Sequence, residues 1–435
     1  MEVTHTPLSP EANPMRIAIV GSGVAGLVAA HHLHTRHDIT VFEAGDRVGG
    51  HVHTWDLEVA GRRVAVDSGF IVYNERNYPN FTRLLDVLGV ETRASEMSFS
   101  VRHDATGLEY NGSTLRQLFV QPRNLVHPRF LQMVAEILRF NRDAIGQLQA
   151  APDGISLGAL LELGGYSAAF RDWYLLPMGS AIWSVSARTV LDMPAAFFIR
   201  FFENHGMLTV NDRPLWRTIS GGSMRYVEAL VAPFRDRIRL RTPVRRIERT
   251  SGGVLVDGAP FDRVVLACHS DQALALLADA SDSEREVLGA LPYQRNDVVL
   301  HTDTTLLPRA RAAWAAWNYR VGDDPEAPAS VTYDMNILQG LDAPETICVT
   351  LNATEVIDPA RILGRVVYDH PVATAAGTQA RARRIEISGQ RATHFCGAYW
   401  GNGFHEDGVV SALAVVQEVD RAARPTRPHA ALVAA

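Results

Sequence analysis

One segment near the start of the chain restricts the fold more than any other. The apolar run Arg16–Val20 has the composition of a buried parallel strand, and the turn Gly-Ser-Gly-Val-Ala-Gly at 21–26 follows it at once. A helical stretch and a second apolar strand come next, and this strand ends at Glu43, 22 residues after the first glycine. The order of strand, glycine turn, helix, strand and acid predicts a parallel α/β unit that binds a dinucleotide.

The glycines and the acid of this motif have separate expected roles. Gly21 makes the tight turn, Gly23 lets the backbone approach a pyrophosphate, and Gly26 allows close packing of helix and strand. The N-terminus of the helix presents N–H groups and a positive partial charge to the phosphates. Glu43 is expected to accept a hydrogen bond from a ribose hydroxyl. The alternative is an ordinary α/β unit with a glycine turn and no ligand.

Composition limits the remaining classes of protein. The chain has 435 residues, too many for one ordinary core, so two or more packed units are expected. Its composition is globular, with 47% hydrophobic and 21% charged residues, and its net charge of −6 argues against a nucleic-acid partner. All 42 basic residues are Arg. A Schiff base and a lysine general base are therefore excluded.

The cysteines and the apolar runs bear on metal sites and location. Cys268, Cys348 and Cys396 are scattered, with neither a disulfide framework nor metal-ligand spacing, so no metal site is predicted. The first fourteen residues contain no apolar run, and no run of 18 apolar residues occurs, so neither a secretory signal nor a membrane-spanning helix is expected. These features predict a cytoplasmic protein.

The order of elements predicts two interleaved domains. Helical patterns dominate from about residue 80 to residue 214, with helices expected at 128–148 and 194–204. Short strands, one of them at 244–249, and a final helix at 408–422 follow. A nucleotide-binding domain is assigned to residues 15–80, 215–290 and 390–422, and an inserted substrate domain to 81–214 and 291–389. Residues 1–14 and 423–435 are expected to be flexible ends.

The run after Glu43 carries a family resemblance. It reads Ala44-Gly45-Asp46-Arg47-Val48-Gly49-Gly50-His51. With this run the sequence resembles the FAD-binding flavoproteins of the amine oxidase and phytoene desaturase superfamily. The resemblance implies that Arg47 and the backbone of Gly49 and Gly50 lie on the pyrophosphate and ribityl side of FAD. Most members have Arg after the glycine pair, where this chain has His51.

Later segments carry the same resemblance, namely residues 66–71, 221–224, 242–247, 262–268 and 395–409. It implies that 66–71 runs along the isoalloxazine ring, that the Val244 backbone meets the adenine, and that a helix beginning near Gly408 points its N-terminus at the flavin. The cofactor-binding residues expected in full are Gly21, Gly23, Val24, Ala25, Gly26, Glu43, Ala44, Arg47, Gly49, Gly50, His51, Gly69, Phe70, Ile71, Val244, Ala267, Gly397, Asp407, Gly408 and Val409.

The fold class implied is α/β: a Rossmann-type FAD-binding domain of glutathione-reductase-like, amine oxidase topology with a discontinuous α+β substrate domain. The chain departs from the family in places. Ala398 follows Gly397 where an acid is usual, so the acid near the phosphate comes from Glu406 or Asp407 or is missing. The lysine that holds a water at flavin N5 is absent. Cys396 does not occupy the position of covalent attachment, so noncovalent FAD is expected.

A narrower resemblance points to a substrate. It rests on the segments 73–74, 78–80, 183–184, 204–206 and 403–408, which look like a bacterial subgroup that accompanies methyltransferases of the cyclopropane-fatty-acid synthase type. The subgroup implies an oxidoreductase that desaturates a methyl-branched lipid acyl chain, with O2 or a quinone as electron acceptor and a methyltransferase as partner. Three alternatives stay open: an amine or carotenoid-type oxidase, a redox-neutral flavoenzyme, and an accessory flavoprotein.

Two segments could serve such a substrate. The apolar segment 194–202 could line a tunnel or form an ordinary core helix, and the arginine-rich segment 115–148 could lie on an anionic membrane or form a solvated face. Tyr73, Tyr399 and His405 are the catalytic candidates, because their segments are expected to face the flavin ring. His405 is expected to have the pKa best suited to proton transfer near neutrality. Packing, or hydrogen bonding to the flavin, is the alternative role for all three.

Overall fold

The computed structural model describes residues 14–209, 211, 213–322, 324 and 326–423. These residues divide into two compact units. The first unit contains the described residues up to Gly50, Leu230–Gly289 and the described residues from Arg381 onward; the second contains His51–Ala229 and Ala290–Ala380. Residues 1–13 and 424–435, which make up nearly all of the two ends predicted to be flexible, lie outside the described residues.

The first unit is built on a parallel β-sheet. Its middle strand, Arg16–Val20, is almost fully buried, as expected for a parallel strand covered on both faces. Val20 pairs with Phe42 on one side and with Leu266 on the other, so three strands end at the same edge. Ligands bind beyond this edge in α/β sheets. Among the described residues the strand order is Ile238–Arg239, Asp38–Phe42, Arg16–Val20, Arg263–Leu266 and Thr393–Phe395.

The first unit also contains a small antiparallel sheet and several helices. The final helix begins at His405, three residues before the predicted start at Gly408, because the Asp407 carboxylate accepts a hydrogen bond from the Phe404 amide and caps the helix there. The antiparallel strands are Ile247–Thr250, Gly253–Val256 and Ala259–Phe261. The helices are Val24–Leu33, Ser270–Leu276, Asp282–Gly289, Arg384–Ile387 and His405–Ala422.

The second unit is built on a mixed sheet. Its neighbouring strands are antiparallel except for Trp317–Val321 and Phe99–His103, which are parallel. In the described chain the order is Ile362–Pro371, Tyr293–His301, Cys348–Leu351, Ser330–Asp334, Trp317–Val321, Phe99–His103 and Leu108–Asn111. Two smaller antiparallel sheets pair Thr54–Val59 with Arg62–Asp67, and Trp216–Ile219 with Val72–Asn74 and Thr92–Ala94.

The unit boundaries differ from the predicted domain boundaries by more than one residue at three places. Residues 51–80 and 215–229 were assigned to the nucleotide-binding domain, and 381–389 to the substrate domain. In the structure Val66 and Ile71 share a core with Val298 and Val331 of the mixed sheet, so the strands after Gly50 pack within the second unit. Pairing of Val72–Asn74 with Trp216–Ile219 places the segment before the helix at 224 in this unit as well.

Helices of the second unit lie mainly between residues 79 and 204, as the sequence predicts. Ala195–Asn204 buries most of its apolar side chains, including Phe198, Ile199 and Phe202, while Arg200 is exposed, so much of this helix is core. The helices of this unit are Pro79–Leu88, Leu115–Leu118, Pro128–Ala150, Leu157–Leu163, Ala168–Phe170, Leu176–Trp183, Ala187–Asp192, Ala195–Asn204 and Met335–Leu338, and the unit boundaries fall within Met224–Val231 and Ala375–Ala382.

No helix among the described residues is long and apolar enough to cross a membrane.

Candidate active site

The glycine turn of the first unit has the shape of a phosphate cradle. Gly21 has a positive φ of 104°, and a Cβ there would lie 2.9 Å from the carbonyl oxygen of Ala267. A Cβ on Gly26 would lie 2.0 Å from the carbonyl oxygen of Gly21. At Gly23, by contrast, a Cβ would meet no atom of the described residues within 4 Å. Internal packing therefore explains Gly21 and Gly26. Gly23 faces open space, which a ligand needs in order to approach the backbone.

The ribose acid is held against this turn. The Glu43 carboxylate accepts hydrogen bonds from the Ser22 amide at 3.1 Å and from the Ser22 hydroxyl at 2.5 Å. Its other oxygen accepts from the Gly45 amide at 2.7 Å. Neutral donors on both sides fix the carboxylate at the end of the second strand. This position suits the expected role of Glu43 as an acceptor for ribose hydroxyls.

The second glycine pair packs directly on the first glycine turn. Gly49 and Gly50 have positive φ values of 109° and 60°. The Gly49 amide donates to the Ser22 carbonyl at 2.9 Å, and a Cβ on Gly50 would lie 3.0 Å from the Cα of Gly23. Arg47 donates through Nη2 to the Gly50 carbonyl at 2.8 Å. The second glycine pair and the first glycine turn thus form one continuous backbone surface, and Ala44 is exposed beside it.

The C-terminal motif closes the same region of the first unit. A Cβ on Gly408 would lie 2.7 Å from Val24 Cγ1, so the first turn of the final helix lies against the first residue of the first helix. Ala25 and Val409 are both buried. Two helix N-termini side by side provide N–H groups and positive partial charge for an anionic ligand. The prediction that the helix begins at Gly408 is wrong, because Gly408 lies within its first turn. There Gly408 permits this close approach.

Asp407 is engaged by its own loop. Its carboxylate accepts hydrogen bonds from the Asn402 amide at 3.0 Å and the Phe404 amide at 2.9 Å. Burial raises the pKa of Asp407 to about 6. Gly397 donates through its amide to the Ser411 hydroxyl at 2.9 Å, which ties the preceding strand to the final helix. Asp407 therefore stabilises the turn before the helix.

Two catalytic candidates belong to the first unit. Tyr399 is buried, and its ring lies 5.0 Å from that of Trp400. The Arg381 guanidinium donates to the Tyr399 carbonyl at 2.9 Å. His405 is the first residue of the final helix, and burial lowers its pKa to about 3. The expectation of a pKa near neutrality is therefore wrong for this structure, because burial disfavours the charged imidazolium.

The segment expected along the flavin ring belongs to the second unit. The Phe70 amide donates to the His51 carbonyl at 3.0 Å, and a Cβ on Gly69 would lie 1.9 Å from the same oxygen. The His51 ring stacks on Tyr368, with ring centroids 4.7 Å apart. Ile71 is buried. Gly69 is thus required by the close passage of the His51 backbone.

Tyr73, the third catalytic candidate, lies in an aromatic core. It is only 2% exposed. Its ring contacts Phe81 edge-on at 5.4 Å and Tyr78 at 6.2 Å. This arrangement fits the packing role that the sequence left open for Tyr73.

Asp67 is a buried acid that the sequence reasoning did not single out. Its carboxylate accepts from the Thr54 hydroxyl at 2.5 Å, from the Ser223 amide at 2.9 Å and from Gln339 Nε2 at 2.9 Å. Burial raises the pKa of Asp67 to about 6. The carboxylate joins the end of the strand before Gly69 to the glycine pair at 221–222 and to a distant helix. The signal available in the sequence was an acid at the end of an apolar strand.

The predicted residues are thus divided between the two units. The structure brings together the glycine turn, Glu43, the second glycine pair, Ala267 and Gly408 within the first unit, while His51, Gly69–Ile71 and Tyr73 lie in the second. Val244 is half-buried in the loop 240–246, and the strand predicted to contain it begins only at Ile247. No group of side chains that could hold a metal ion occurs among the described residues.

The first-unit surface fits FAD. Its elements are an open glycine backbone, two helix N-termini and a fixed ribose acceptor. Cys396 is fully buried, and burial raises the pKa of its thiol to about 12, which suits a cofactor that is bound without a thioether link.

Comparison with known proteins identifies the family. Residues 24–319, well over half of the 435-residue chain, match the family described as flavin containing amine oxidoreductase. The chain belongs to this family. It is therefore an FAD-dependent oxidoreductase, and the expectations of FAD and of the amine oxidase fold are confirmed.

Three known proteins are similar to this chain over most of its length. AofH of Mycobacterium tuberculosis, provisionally named as a flavin-containing monoamine oxidase, is 26% identical over 341 residues, which cover 74% of this chain and 70% of that protein. Cyclohexylamine oxidase from Brevibacterium oxydans shares the fold with a TM-score of 0.68, 16% identity and coverage of 94% of this chain and 100% of that one. The fatty acid isomerase of P. acnes that produces CLA shares it with a TM-score of 0.65, 20% identity and coverage of 94% and 99%.

Proposed function

We propose that this FAD-dependent oxidoreductase desaturates an acyl chain of a membrane lipid, and that the chain is methyl-branched. The methyl branch rests on the resemblance to the bacterial subgroup that accompanies cyclopropane-fatty-acid-synthase-type methyltransferases. Such a methyltransferase would supply the branched substrate. One observation in the second unit carries the acyl part of the proposal, namely an uncharged aromatic layer next to the segment expected along the flavin ring.

The aromatic layer consists of packed rings, of which Phe197, His205 and Trp216 are half-buried and the others are buried. The ring of Trp183 lies 4.8 Å from Phe201, and Phe201 stacks on His205 at 3.8 Å. His205 in turn lies stacked at 6.4 Å from Trp216. We define the aromatic layer as Trp183, Phe197, Phe198, Phe201, His205 and Trp216.

The aromatic layer favours an uncharged substrate. Its titratable member is His205, and burial lowers the pKa of this histidine to about 4, so the layer is neutral at physiological pH. A long acyl chain that covers the half-buried rings gains free energy through the apolar area that it removes from water. An ammonium group gains less, because no member of the layer is a carboxylate that could offset the lost hydration.

The aromatic layer is tied to the segment that carries Gly69–Ile71. Trp216 pairs with Asn74 in the sheet that also contains Val72 and Tyr73. Asn77 Nδ2 donates to the carbonyl of Asn204 at the end of the helix Ala195–Asn204. A substrate lying on the layer would therefore extend toward the backbone that the family resemblance places along the isoalloxazine ring.

The reaction removes two hydrogens from the acyl chain. FAD, when bound, supplies the acceptor for the hydride that leaves one carbon, and the second hydrogen leaves the neighbouring carbon as a proton as the C=C bond forms. His405, with its low pKa, is a weak base, so the proton is released to water. The aromatic layer binds the chain. Electrons leave the enzyme to O2 or a quinone.

The test is an anaerobic visible spectrum of the FAD-loaded protein before and after addition of phospholipid with methyl-branched unsaturated acyl chains. Bleaching of the oxidised flavin band, together with a product lighter by two hydrogens, is expected. Phospholipid of the same head group with saturated straight chains is the matched control. Unchanged flavin after confirmed lipid binding would overturn the proposal.

A variant pair tests the role of the aromatic layer. Phe197→Glu places a carboxylate in the half-buried part of the layer, and Arg200→Glu places one on the exposed side of the same helix. We expect the first to slow lipid-dependent bleaching by about tenfold or more, because the acyl chain must then desolvate a charge. The second should leave the rate near that of the parent. Equal rates for both variants would remove the layer from substrate binding.

Amine oxidation is the second candidate, and the similarity to AofH favours it. Aromatic rings also attract cations, so the layer does not oppose an amine on geometry alone. Bleaching by monoamines or polyamines, with release of the aldehyde and no response to lipid, would establish this candidate in place of the first.

A further inference from the structure

A second surface feature lies on the helical part of the second unit. Between residues 115 and 138, five large apolar side chains are exposed to solvent. We propose that they dock the protein on an anionic lipid bilayer. The proposal stands on its own observations, independent of the acyl substrate. The exposed residues, which we call the 115–138 face, are Leu115 at 78%, Leu125 at 56%, Val126 at 79%, Leu131 at 41% and Leu138 at 57% exposure.

The long helix Pro128–Ala150 has two apolar sides. Phe130, Met133 and Phe140 lie on one side and are buried in the unit. Leu131 and Leu138 are seven residues apart and therefore lie on a common stripe of the other side. Because the core already has its own stripe, internal packing does not account for the second one.

The charge on this face is positive. Residues 112–135 contain three arginines and no acid. Arg116 and Arg129 are exposed and form no ion pair with any residue in the described ranges, while Arg123 donates to the Gly107 carbonyl and to Gln121. Arginines interleaved with exposed apolar residues match the two attractions of an anionic bilayer, one electrostatic and one hydrophobic.

Three acids beside this stretch, in sequence or across the cleft, are turned inward or paired. The Glu109 carboxylate accepts from the amides of Arg309 and Ala310, and Glu136 accepts from Ser167 at 2.5 Å. Asp172 lines a cleft of about 360 Å³ beside Arg129, and Arg171 binds its carboxylate through two nitrogens. These acids therefore do not offset the outward arginines.

An indole adds a third feature. Trp173 lines the same cleft as Arg129 and contacts the ring of His127, the residue that caps the long helix, at 5.9 Å. Indole rings favour the boundary between lipid head groups and acyl chains. Trp173 is half-buried against the core around Phe130, and its remaining surface lies in the cleft beside Arg129.

The charge pattern favours a bilayer over a second copy of the chain. In a symmetric dimer built on this face, the same patch of both copies would meet, so Arg116 and Arg129 would face arginines. Such a pairing lacks the complementary acids that a dimer needs. An anionic lipid surface supplies them.

The experiment is cosedimentation of the full-length, FAD-loaded protein with vesicles of phosphatidylglycerol and phosphatidylcholine, and with vesicles of phosphatidylcholine alone. We expect binding to the anionic vesicles that weakens as salt rises. The double variant Leu131→Glu, Leu138→Glu should lower this binding by about tenfold or more, since both positions are exposed and the core is untouched. Arg116→Gln with Arg129→Gln should lower it and flatten the salt dependence.

Ile385→Glu is the matched control, because Ile385 is 79% exposed but lies in the first unit. It should bind as the parent does. Absence of sedimentation with anionic vesicles, or unchanged binding by the double leucine variant, would overturn the proposal. A concentration-dependent dimer that the same variants abolish, without vesicle binding, would assign the face to a second copy. Vesicle binding, with flavin that stays oxidised when the vesicles also contain the methyl-branched phospholipid, would leave this docking intact and reject the acyl substrate.

Discussion

Gly23 separates ligand binding from folding at the scale of a single residue. Its φ of −70° is open to any residue, and its Cβ would meet no described atom. Gly23→Val should therefore fold but lose FAD, because the side chain would occupy the path of the pyrophosphate. The measurement is the flavin absorbance of the purified protein beside its circular dichroism.

Gly252→Val is the matched control, since Gly252 also faces open space but lies far along the chain from the glycine turn. It should retain stoichiometric flavin. A yellow, fully loaded Gly23→Val protein would remove the glycine turn from the cofactor site.

Asp67 makes stability depend on pH. The pKa of this acid is raised by burial to about 6 in the folded protein, above its unfolded value of about 4. The folded state thus binds more protons between these values, and the stability that the neutral acid contributes is lost as pH rises through about 6. Asp67→Asn lacks this titration. Between about pH 4 and pH 7 the parent should lose up to about 3 kcal/mol relative to the variant.

Urea unfolding of both proteins at the two pH values measures this difference. An identical pH dependence of the two unfolding free energies would show that folding does not raise the pKa of Asp67. The sequence could not predict this network, because Asp67 meets Ser223 and Gln339 across 156 and 272 residues. The segment 221–224 is part of the family resemblance, but only the fold reveals which acid it contacts.

At the scale of elements, the contact between the first and final helices holds the two N-termini side by side. Gly408→Ala should lower the thermal midpoint and the FAD affinity, because its Cβ would lie 2.7 Å from Val24 Cγ1. Val24→Ala removes that methyl group, so the double variant should recover part of both losses. The measurements are thermal unfolding and flavin titration of the four proteins in this cycle.

Val410→Ala, on an exposed position of the same helix, is the control and should change neither quantity appreciably. Additive losses in the Gly408 and Val24 double variant would show that the two side chains do not meet.

Local pattern predicted most elements well. The strand Arg16–Val20 and the helices near 128–150 and 195–204 follow from apolar periodicity and lie where it places them. Two predictions failed where local chemistry competed with pattern. The final helix begins at His405 because Asp407 caps it there. The strand expected at Val244 begins only at Ile247, after the turn that follows Arg239, so Val244 lies in a loop. Caps and turns depend on individual hydrogen bonds, so periodicity does not locate them.

At the scale of the molecule, the two units have different expected roles. The first unit supplies the FAD-binding surface, which follows from the glycine motif and from membership of the flavin containing amine oxidoreductase family. The second supplies the aromatic layer and the 115–138 face. The lack of lysine was readable from the sequence alone and excludes a lysine at the flavin. The unit boundaries were harder to predict, because a shared core decides them, and sequence order does not reveal that core.

The rate of flavin reduction by a deuterated lipid tests whether the substrate is an acyl chain. The FAD-loaded protein is mixed anaerobically with a phospholipid whose methyl-branched acyl chain is deuterated, and flavin bleaching is followed beside an undeuterated sample. If the acyl chain is the substrate, we expect slower bleaching with deuterium and one new double bond for each flavin reduced. Bleaching by amines, with no flavin reduction by lipid in either form, would contradict it.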